Sequence, residues 1–166
     1  MSEDPVPPLD QTCGEDEIRP VLKLNRFLPY RLNHLAETVS RSFSKIYAGK
    51  YGIGVPEWRV VATLGEHHAM TARDISQATA MHKTKVSRAV AALEQRGLIV
   101  RGRNPDDQRE QMLKLSPEGC AMYEELIPEA LVYSAKLQNA LTEEQKALLD
   151  DIFERLLTAA SSTPRE

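Results

Sequence analysis

The sequence predicts a mainly α-helical protein that carries one small β-hairpin. Apolar residues recur at helical spacing early in the chain, at positions 32, 35, 39, 43 and 46. Residues with N-capping side chains mark three further helix starts, at Thr71, Ser116 and Thr142. A turn-forming run, residues 104–107, separates two short segments typical of strands. Helices therefore dominate the predicted fold.

The first half of the chain predicts two helices and a short strand. The first helix begins at Leu28 and ends near Gly49 to Gly54. Pro56 suits the first turn of a second helix, which ends near His67 and His68. The residues of this second helix that we expect to face inward are Trp58, Val61, Ala62 and Leu64. A small strand at Ala69–Met70 follows.

The middle of the chain predicts a short helix, a turn and a second helix. Thr71 and Asp74 resemble a capping box that opens a brief helix through Ala78. The next helix spans roughly Lys83–Arg96, and Gly97 is placed to end it. Its buried face is predicted from the spacing of Val86, Val90 and Leu93.

The hairpin and two more helices complete the prediction. The hairpin arms are residues 98–101 and 110–115. Ser116, Pro117 and Glu118 then open a long helix, which we expect to bend at Pro128 because proline lacks a backbone donor. Thr142 to Gln145 form a capping box for the last helix. The apolar stripe of that helix is Leu149, Ile152, Phe153 and Leu156.

Charge is distributed unevenly along the chain. The net charge is −3, yet residues 71–109 hold eight Lys or Arg against four acids. Residues 117–166 hold four bases against ten acids. A basic middle in an acidic molecule indicates a local contact with a polyanion. We expect neither a signal peptide nor a membrane span, and the two cysteines form no disulfide framework, which favours a cytoplasmic protein.

The second helix of the middle region has the features of a helix that enters the major groove of DNA. Opposite its buried face lie Thr84, Ser87 and Arg88, flanked by Lys83 and Lys85. Arginine can make a bidentate contact with guanine, and lysine suits phosphate. A solvated helix face with scattered cations is the alternative. The capped helix before it and the basic hairpin after it favour DNA binding.

The hairpin supplies a second predicted DNA contact. Arg101, Arg103 and Arg109 surround its tight turn. Arginine at a narrow tip can enter the minor groove, where the negative potential is strong. We expect Asp107 to accept from a nearby arginine and to set the shape of the loop. The alternative is a soluble turn whose charges protect an edge strand.

These elements together resemble the MarR family of winged helix-turn-helix transcription factors. The resemblance rests on the run TARDISQATAMHKTKVSRAVAALEQRGLIVR, on Asp107-x-Arg109, and on LKLSPEG after the hairpin. It covers residues 22–158, with modest departures at Gln108 and His82. The resemblance implies a homodimer whose first and last helices interlock, and a pseudo-palindromic operator in double-stranded DNA.

The flanking helices independently favour dimerisation. Residues 28–49 and 117–158 carry amphipathic stripes that one small winged lobe cannot cover, and two-fold symmetry would bury them. A monomeric bundle is the alternative. The predicted organisation is a disordered acidic and Pro-rich tail (1–20), an N-terminal dimerisation helix (21–54), a winged helix-turn-helix DNA-binding lobe (55–115), C-terminal dimerisation helices (116–160) and a tail (161–166).

The family resemblance also implies a small effector, often an aromatic acid. The candidate ligand-binding residues are Tyr30, Arg31, His34, Trp58 and Arg59. Arginine or histidine can pair with a carboxylate while aromatic rings pack against a ring. The segment FLPYRL…YGIGVPEWRV is similar to regulators of aromatic-acid breakdown, some of which respond to aryl acids or their CoA thioesters. A core role for Trp58 and a surface ion pair for Arg31 are the alternatives.

Other functions have weaker support in the sequence. Cys13 or Cys120 could sense peroxide, although the acids beside Cys13 disfavour a thiolate. A winged helix that binds protein instead of DNA is the other alternative. We expect no catalytic residue, cofactor or metal site, because no phosphate loop, nucleophile elbow or ligand spacing is present and His67–His68 has no partner ligand. The predicted function is a ligand-relieved repressor.

Overall fold

A computed structural model describes residues 21–104 and 110–162, and its contacts divide the chain into two compact units, Met1–Thr38 and Val39–Glu166. The elements are a 3-10 turn (Leu24–Arg26), α1 (Leu28–Tyr51), α2 (Val55–His67), β1 (Met70–Thr71), α3 (Ala72–Thr79), α4 (Lys83–Gln95), β2 (Ile99–Arg103), β3 (Gln111–Leu115), α5 (Pro117–Gln138) and α6 (Glu143–Ser161). A mainly helical fold with a small hairpin is thereby confirmed.

The described residues of the first unit, 21–38, contain no buried side chain. Its described residues form the 3-10 turn and the first part of α1, and all of them are exposed. The exposed apolar side chains among them are Val21, Leu22, Leu24, Phe27, Leu28, Tyr30, Leu32 and Leu35. A contiguous apolar surface of this kind is typical of an interaction site, because apolar area in water is unfavourable.

Local hydrogen bonds explain where three of the helices begin. Thr71 accepts from the backbone N–H of Asp74 at 3.1 Å, and Asp74 in turn accepts from the Thr71 hydroxyl at 2.8 Å. The Thr142 hydroxyl accepts from Gln145 in the same way, at 3.2 Å. Ser116 caps α5 by accepting from the N–H of Gly119 at 3.0 Å. All three predicted helix starts are confirmed.

The sheet has three antiparallel strands in the order β1-β3-β2. In the hairpin, Arg101 lies opposite Leu113 and Arg103 lies opposite Gln111. The predicted strand at Ala69–Met70 is wrong by one residue, since the structure has it at Met70–Thr71. The N–H of Ala69 bonds to the carbonyl of His67 at 2.7 Å, so this residue still belongs to the turn that closes α2.

The core of Val39–Glu166 forms where α2, α3, α4 and β3 meet. The predicted inner face of α4 is confirmed, because Val86, Val90 and Leu93 are buried. Ala89 is buried with them. On α2 the buried residues are Val60, Val61 and Leu64, whereas Ala62 is only half-buried and Trp58 packs at the core margin.

The two C-terminal helices are less well covered. Helix α5 runs through Pro128 without ending there and buries Gly119, Met122 and Leu126 near its start. Helix α6 has no buried residue; of its predicted stripe, Leu149 and Leu156 are half-buried while Ile152 and Phe153 are exposed. Among the described residues, no helix is both long enough and apolar enough to span a bilayer.

Candidate nucleic-acid interface

The outer face of α4 carries the predicted DNA-binding side chains. Lys83, Thr84, Lys85, Ser87 and Arg88 are all exposed. They occupy the first half of a helix whose opposite face is anchored in the core. Because the buried face fixes the rotation of the helix, these five side chains are presented together.

The turn before α4 sets the direction of the helix. Ala80 adopts a left-handed conformation, with φ of 52°, and ends α3. The Ser76 hydroxyl donates to the carbonyl of Met81 at 2.6 Å and holds the turn against α3. His82 then caps α4, and its Nδ1 accepts from the N–H of Thr84 at 3.3 Å. The sequence marked His82 as a departure from the family pattern; the structure gives it a capping role.

A groove between α3 and α4 adds residues that the sequence did not single out. It is lined by Ala72, Arg73, Ser76, Gln77, Lys83, Thr84, Ser87 and Arg88. Arg73 lies in the first turn of α3, and its position two residues after the Thr71 cap was the available sequence signal. Within residues 21–104 and 110–162, Arg73, Lys83, Lys85 and Arg88 make no ion pair with one another or with any acid. Their charge is available to an external anion.

The two arginines of β2 differ in their surroundings. Arg103 is exposed at the end of the strand. Arg101 instead donates to both carboxylate oxygens of Glu94 on α4, at 2.8 and 2.9 Å, and to Gln111 at 3.0 Å. The Arg101 hydrogen bonds hold the pKa of the Glu94 carboxyl below its usual value. The predicted residues Asp107 and Arg109 lie outside the described part of the chain.

A pocket in Val39–Glu166 contains two of the predicted ligand-binding residues. It has a volume of about 280 Å³ and is lined by Val39, Ser40, Phe43, Tyr47, Val55, Trp58, Arg59, Ala130, Tyr133, Ser134 and Leu137. Phe43 stacks on Tyr133 with ring centroids 5.2 Å apart, and Tyr47 stacks on Trp58 at 5.5 Å. Helices α1, α2 and α5 thus each supply at least one ring.

Polar groups of the pocket are few and are held in place. Arg59 is half-buried and donates to the Ser40 hydroxyl at 3.3 Å. The Tyr133 hydroxyl donates to the carbonyl of Val39 at 3.1 Å. Burial raises the pKa of Tyr47 to about 12, so that phenol stays neutral at physiological pH. Arg59 is therefore the fixed positive charge of the pocket.

The other three predicted ligand-binding residues line a separate cavity within Met1–Thr38. Tyr30, Arg31 and His34 surround it together with Asn25, Leu35 and Thr38. The rings of Tyr30 and His34 are nearly parallel, with centroids 6.3 Å apart. All three predicted residues are exposed. Periodicity predicted this grouping because the residues are one turn apart on one helix.

The remaining predicted chemistry has little structural support. Cys120 is an exposed free thiol on α5, and Cys13 lies outside the described residues. Among residues 21–104 and 110–162, no three His, Cys, Asp or Glu side chains cluster as metal ligands would. Among the residues that the structure describes, His67 Nε2 approaches a carboxylate oxygen of the adjacent Glu66, at 3.8 Å.

Comparison with known proteins agrees with this geometry. A model of the MarR family matches residues 51–110. The transcriptional regulator FarR of Neisseria gonorrhoeae is 29% identical over 100 residues, which cover 60% of this chain and 68% of FarR. A MarR/EmrR family regulator from Acinetobacter sp. ADP1 superposes with a TM-score of 0.78 at 25% identity, covering 86% of this chain and all of that one.

A third relative was solved with a small molecule. The structure of NadR in complex with 4-hydroxyphenylacetate superposes with a TM-score of 0.69 at 25% identity, over 83% of this chain and 97% of NadR. The family model, the relatives and the winged helix-turn-helix geometry agree. This chain is similar to MarR family transcriptional regulators, in sequence over residues 51–110 and in fold over most of its length.

Proposed function

We propose that the protein binds a pseudo-palindromic operator as a homodimer and that a single-ring aromatic acid releases it. One observation carries the DNA-binding part of the proposal: the exposed cations of α4 have no acidic partner among the described residues. A folded protein that keeps unpaired cations on one helix face attracts the phosphate backbone.

The side chains divide by chemistry into base contacts and phosphate contacts. Arg88 contacts guanine, because its planar fork matches the two acceptors on the major-groove edge. Ser87 beside it is small and lets the helix approach the base pairs. Lys83, Lys85 and Thr84 hold phosphates, and so does Arg73 on α3. Arg103 enters the minor groove from the hairpin.

Selection of bound sequences from random double-stranded DNA tests this proposal. Wild type is expected to enrich a two-fold symmetric site with half-sites one DNA turn apart, ~34 Å. Arg88→Ala should weaken binding by about 1–3 kcal/mol and relax preference at one position per half-site. Arg103→Ala should weaken binding and leave the major-groove consensus unchanged. Lys136→Ala removes a cation from α5 and serves as the matched control, with wild-type affinity expected.

Salt titration separates DNA binding from the alternative of a protein-binding winged helix. Each phosphate contact releases counterions, so log affinity should fall linearly with log salt, and Lys85→Ala should reduce the slope by about one. No binding to any duplex in dilute buffer would reject the DNA-binding proposal in favour of protein binding.

The pocket of Val39–Glu166 suits a small aromatic acid. The rings of Trp58, Tyr133 and Phe43 offer apolar surface, and Arg59 offers a charge for a carboxylate. A volume of about 280 Å³ is near the lower end for ligand pockets, ~300–1,000 Å³. It accommodates one ring but not the coenzyme part of a CoA thioester. The complex of NadR with 4-hydroxyphenylacetate supports this class of ligand.

The ligand releases the protein from DNA if it binds more tightly to a dimer in which the spacing of the two winged lobes does not fit the operator. Coupling of 1–3 kcal/mol would change operator affinity about 5–150-fold. The pocket walls come from α1, α2 and α5, and α2 packs against α4 in the core, so a shift in the walls reaches the DNA-binding helix.

Titration of 4-hydroxyphenylacetate, benzoate and benzoyl-CoA into an operator mobility assay tests the effector. At least one free acid is expected to release the DNA, with the thioester inactive. Arg59→Ala should abolish the response while operator affinity without ligand stays at the wild-type level. Arg31→Ala is the matched comparison for the cavity in Met1–Thr38; loss of response in this variant alone would place the effector with Tyr30, Arg31 and His34 instead.

A further inference from the structure

Three side chains from three elements meet at the base of the hairpin. Arg101 on β2 donates Nε–H and Nη2–H to the two oxygens of Glu94 on α4. It also donates Nη1–H to Gln111 on β3. We call Glu94, Arg101 and Gln111 the wing clasp. A bidentate arginine–carboxylate pair has a defined geometry, unlike most surface ion pairs, so it fixes an angle as well as a distance.

The strand register explains why Arg101 faces α4. Residues opposite each other in an antiparallel pair lie on the same face, and Arg101 is opposite the buried Leu113. Arg103 lies on that same face, two residues nearer the tip and opposite Gln111. The clasp is therefore at the margin of the core, and Arg103 extends beyond it by about 7 Å.

Beyond the clasp the hairpin has less support. Strand β1 pairs with β3 only at Met112 and Leu113. At the level of Arg103 and Gln111 only two strands remain. Two-stranded ribbons twist strongly and are marginal alone. Their direction must then be set where they leave the three-stranded part, which is the position of the clasp.

The charge of Arg101 is already matched by Glu94. Both carboxylate oxygens are engaged at hydrogen-bond distance. A phosphate could bind Arg101 only by displacing Glu94 or by sharing the guanidinium with it. By contrast, Arg103 has no acidic partner within residues 21–104 and 110–162.

We propose that Arg101 is a positioning residue that, through Glu94 and Gln111, sets the angle of the hairpin relative to α4. This rests on the proposed DNA-binding function and goes beyond it. The clasp fixes the distance between the base contacts of α4 and the minor-groove contact of Arg103. The clasp thereby determines which flanking base pairs Arg103 contacts, at a given distance from the base pairs that α4 contacts.

The test uses the full chain and two duplexes that contain the selected operator. The long duplex keeps the flanking base pairs that hydroxyl-radical footprinting assigns to the hairpin, and the short duplex lacks them. Glu94→Gln and Arg101→Gln are each expected to weaken binding to the long duplex about fivefold. The double variant that combines them should weaken binding no more than either single variant does, because both changes remove the same interaction. On the short duplex all should bind as wild type does.

Two further variants separate positioning from contact. Lys114→Gln removes one cation from the opposite face of the same hairpin and controls for net charge. The double variant Glu94→Arg with Arg101→Glu reverses the pair, and it should restore affinity for the long duplex. Thermal melting by circular dichroism checks that each variant is folded, and the difference between the two duplexes is a readout that a loss of stability would not produce.

Several outcomes would overturn the inference. A phosphate role predicts that Arg101→Gln lowers the salt slope by about one, that Glu94→Gln strengthens binding, and that the reversed pair fails. If both single variants bind the long duplex as tightly as wild type does, this inference is rejected, whereas the proposed DNA-binding function is not. Failure of wild type to bind any duplex would reject the proposed function and this inference with it.

Discussion

Single side chains connect elements that are distant in the sequence. Ser116 is 3% exposed, and its hydroxyl accepts from the N–H of Gly119 while it donates to the carbonyl of Gly97 at 2.6 Å. One oxygen therefore both caps α5 and satisfies the backbone where α4 ends. Glu125 makes a similar connection at the surface, since it accepts from Lys50 and Tyr51 at the end of α1.

Ser116→Ala is expected to lower the free energy of unfolding by about 1–2 kcal/mol, because it removes a cap and also the hydroxyl that donates to the carbonyl of Gly97. Thr142→Ala removes an exposed cap on α6 and should cost only about 1 kcal/mol or less. Urea denaturation of both variants measures the difference. Equal losses would show that the bond to Gly97 contributes nothing.

The contacts of Glu125 predict a pH dependence. Hydrogen bonds from Lys50 and Tyr51 lower the pKa of Glu125 from its ordinary value of 4.5. A lowered folded-state pKa stabilises the fold above the unfolded pKa, and this contribution is lost as pH falls through the folded value. Wild type should therefore melt higher than Glu125→Gln at pH 7, and the gap should close below about pH 4.

Glu124→Gln is the matched control for this pH experiment. Glu124 is the neighbouring exposed acid and makes no hydrogen bond or ion pair with any residue the structure describes. Its replacement should leave the melting temperature and its pH dependence as in wild type. A gap between wild type and Glu125→Gln that persists unchanged into acid would contradict the assigned role.

At the scale of elements, two glycines on helices permit close contact with a neighbouring element. Gly119 lies in the first turn of α5, and a Cβ there would overlap the carbonyl oxygen of Leu98 at the start of β2. Gly65 similarly places α2 against the ring of Tyr123 on α5. Backbone cannot move aside as a flexible side chain can, so the contact at Gly119 is the stricter of the two.

Gly119→Ala should destabilise the protein by about 1–3 kcal/mol, which corresponds to a melting temperature lower by about 2–4 °C per kcal/mol. Gly49→Ala is the matched control, because Gly49 lies in α1 with nothing within 4 Å of its Cβ position. Alanine there should be neutral or stabilise by up to about 1 kcal/mol. Equal melting temperatures of the two variants would contradict the packing argument.

At the scale of the whole molecule, apolar helix faces remain uncovered. In Val39–Glu166, Leu131 and Val132 on α5 are 64% and 67% exposed. On α6 none of the residues is buried, and Leu157 is 63% exposed. An isolated helix of this length is marginal in water, and most helical stability comes from burying an apolar face. A second copy of the chain would cover these faces with two-fold symmetry.

Sedimentation at micromolar concentration is expected to show a species of about twice 18.6 kDa. Leu157→Glu should shift the equilibrium towards monomer and reduce helical content, because a charge would be placed in the interface. Glu154→Lys changes an exposed residue on the polar side of α6 and should leave the mass unchanged. A wild-type species of 18.6 kDa alone would contradict the homodimer.

The sequence predicted the local features well. The caps at Thr71, Ser116 and Thr142 and the buried face of α4 are confirmed, because each depends on residues within one or two turns. The partner of Arg101 was not predictable in this way. Arg101 and Arg103 look alike in the sequence and lie on the same face of β2, but only Arg101 pairs with Glu94, which lies on α4.

The lining of the pocket was also only partly predictable from the sequence, because its residues lie far apart in the chain. Trp58 and Arg59 were predicted ligand-binding residues, but Phe43, Tyr47 and Tyr133 were not. No periodicity connects residues of α1, α2 and α5, and their rings meet only when the three helices pack. The predicted strand at Ala69 failed for a smaller reason, since one backbone bond to His67 decides where the turn ends.

By itself, the sequence determined the order of helices and hairpin, their capped starts and the cationic face of α4. Hydrogen bonds and side-chain spacing within a few residues are sufficient for each of these. Tertiary structure alone decided which cations are paired and which are free, and which rings enclose a cavity. Those outcomes depend on the packing of segments far apart in the chain, where a difference of one residue in register changes which groups meet.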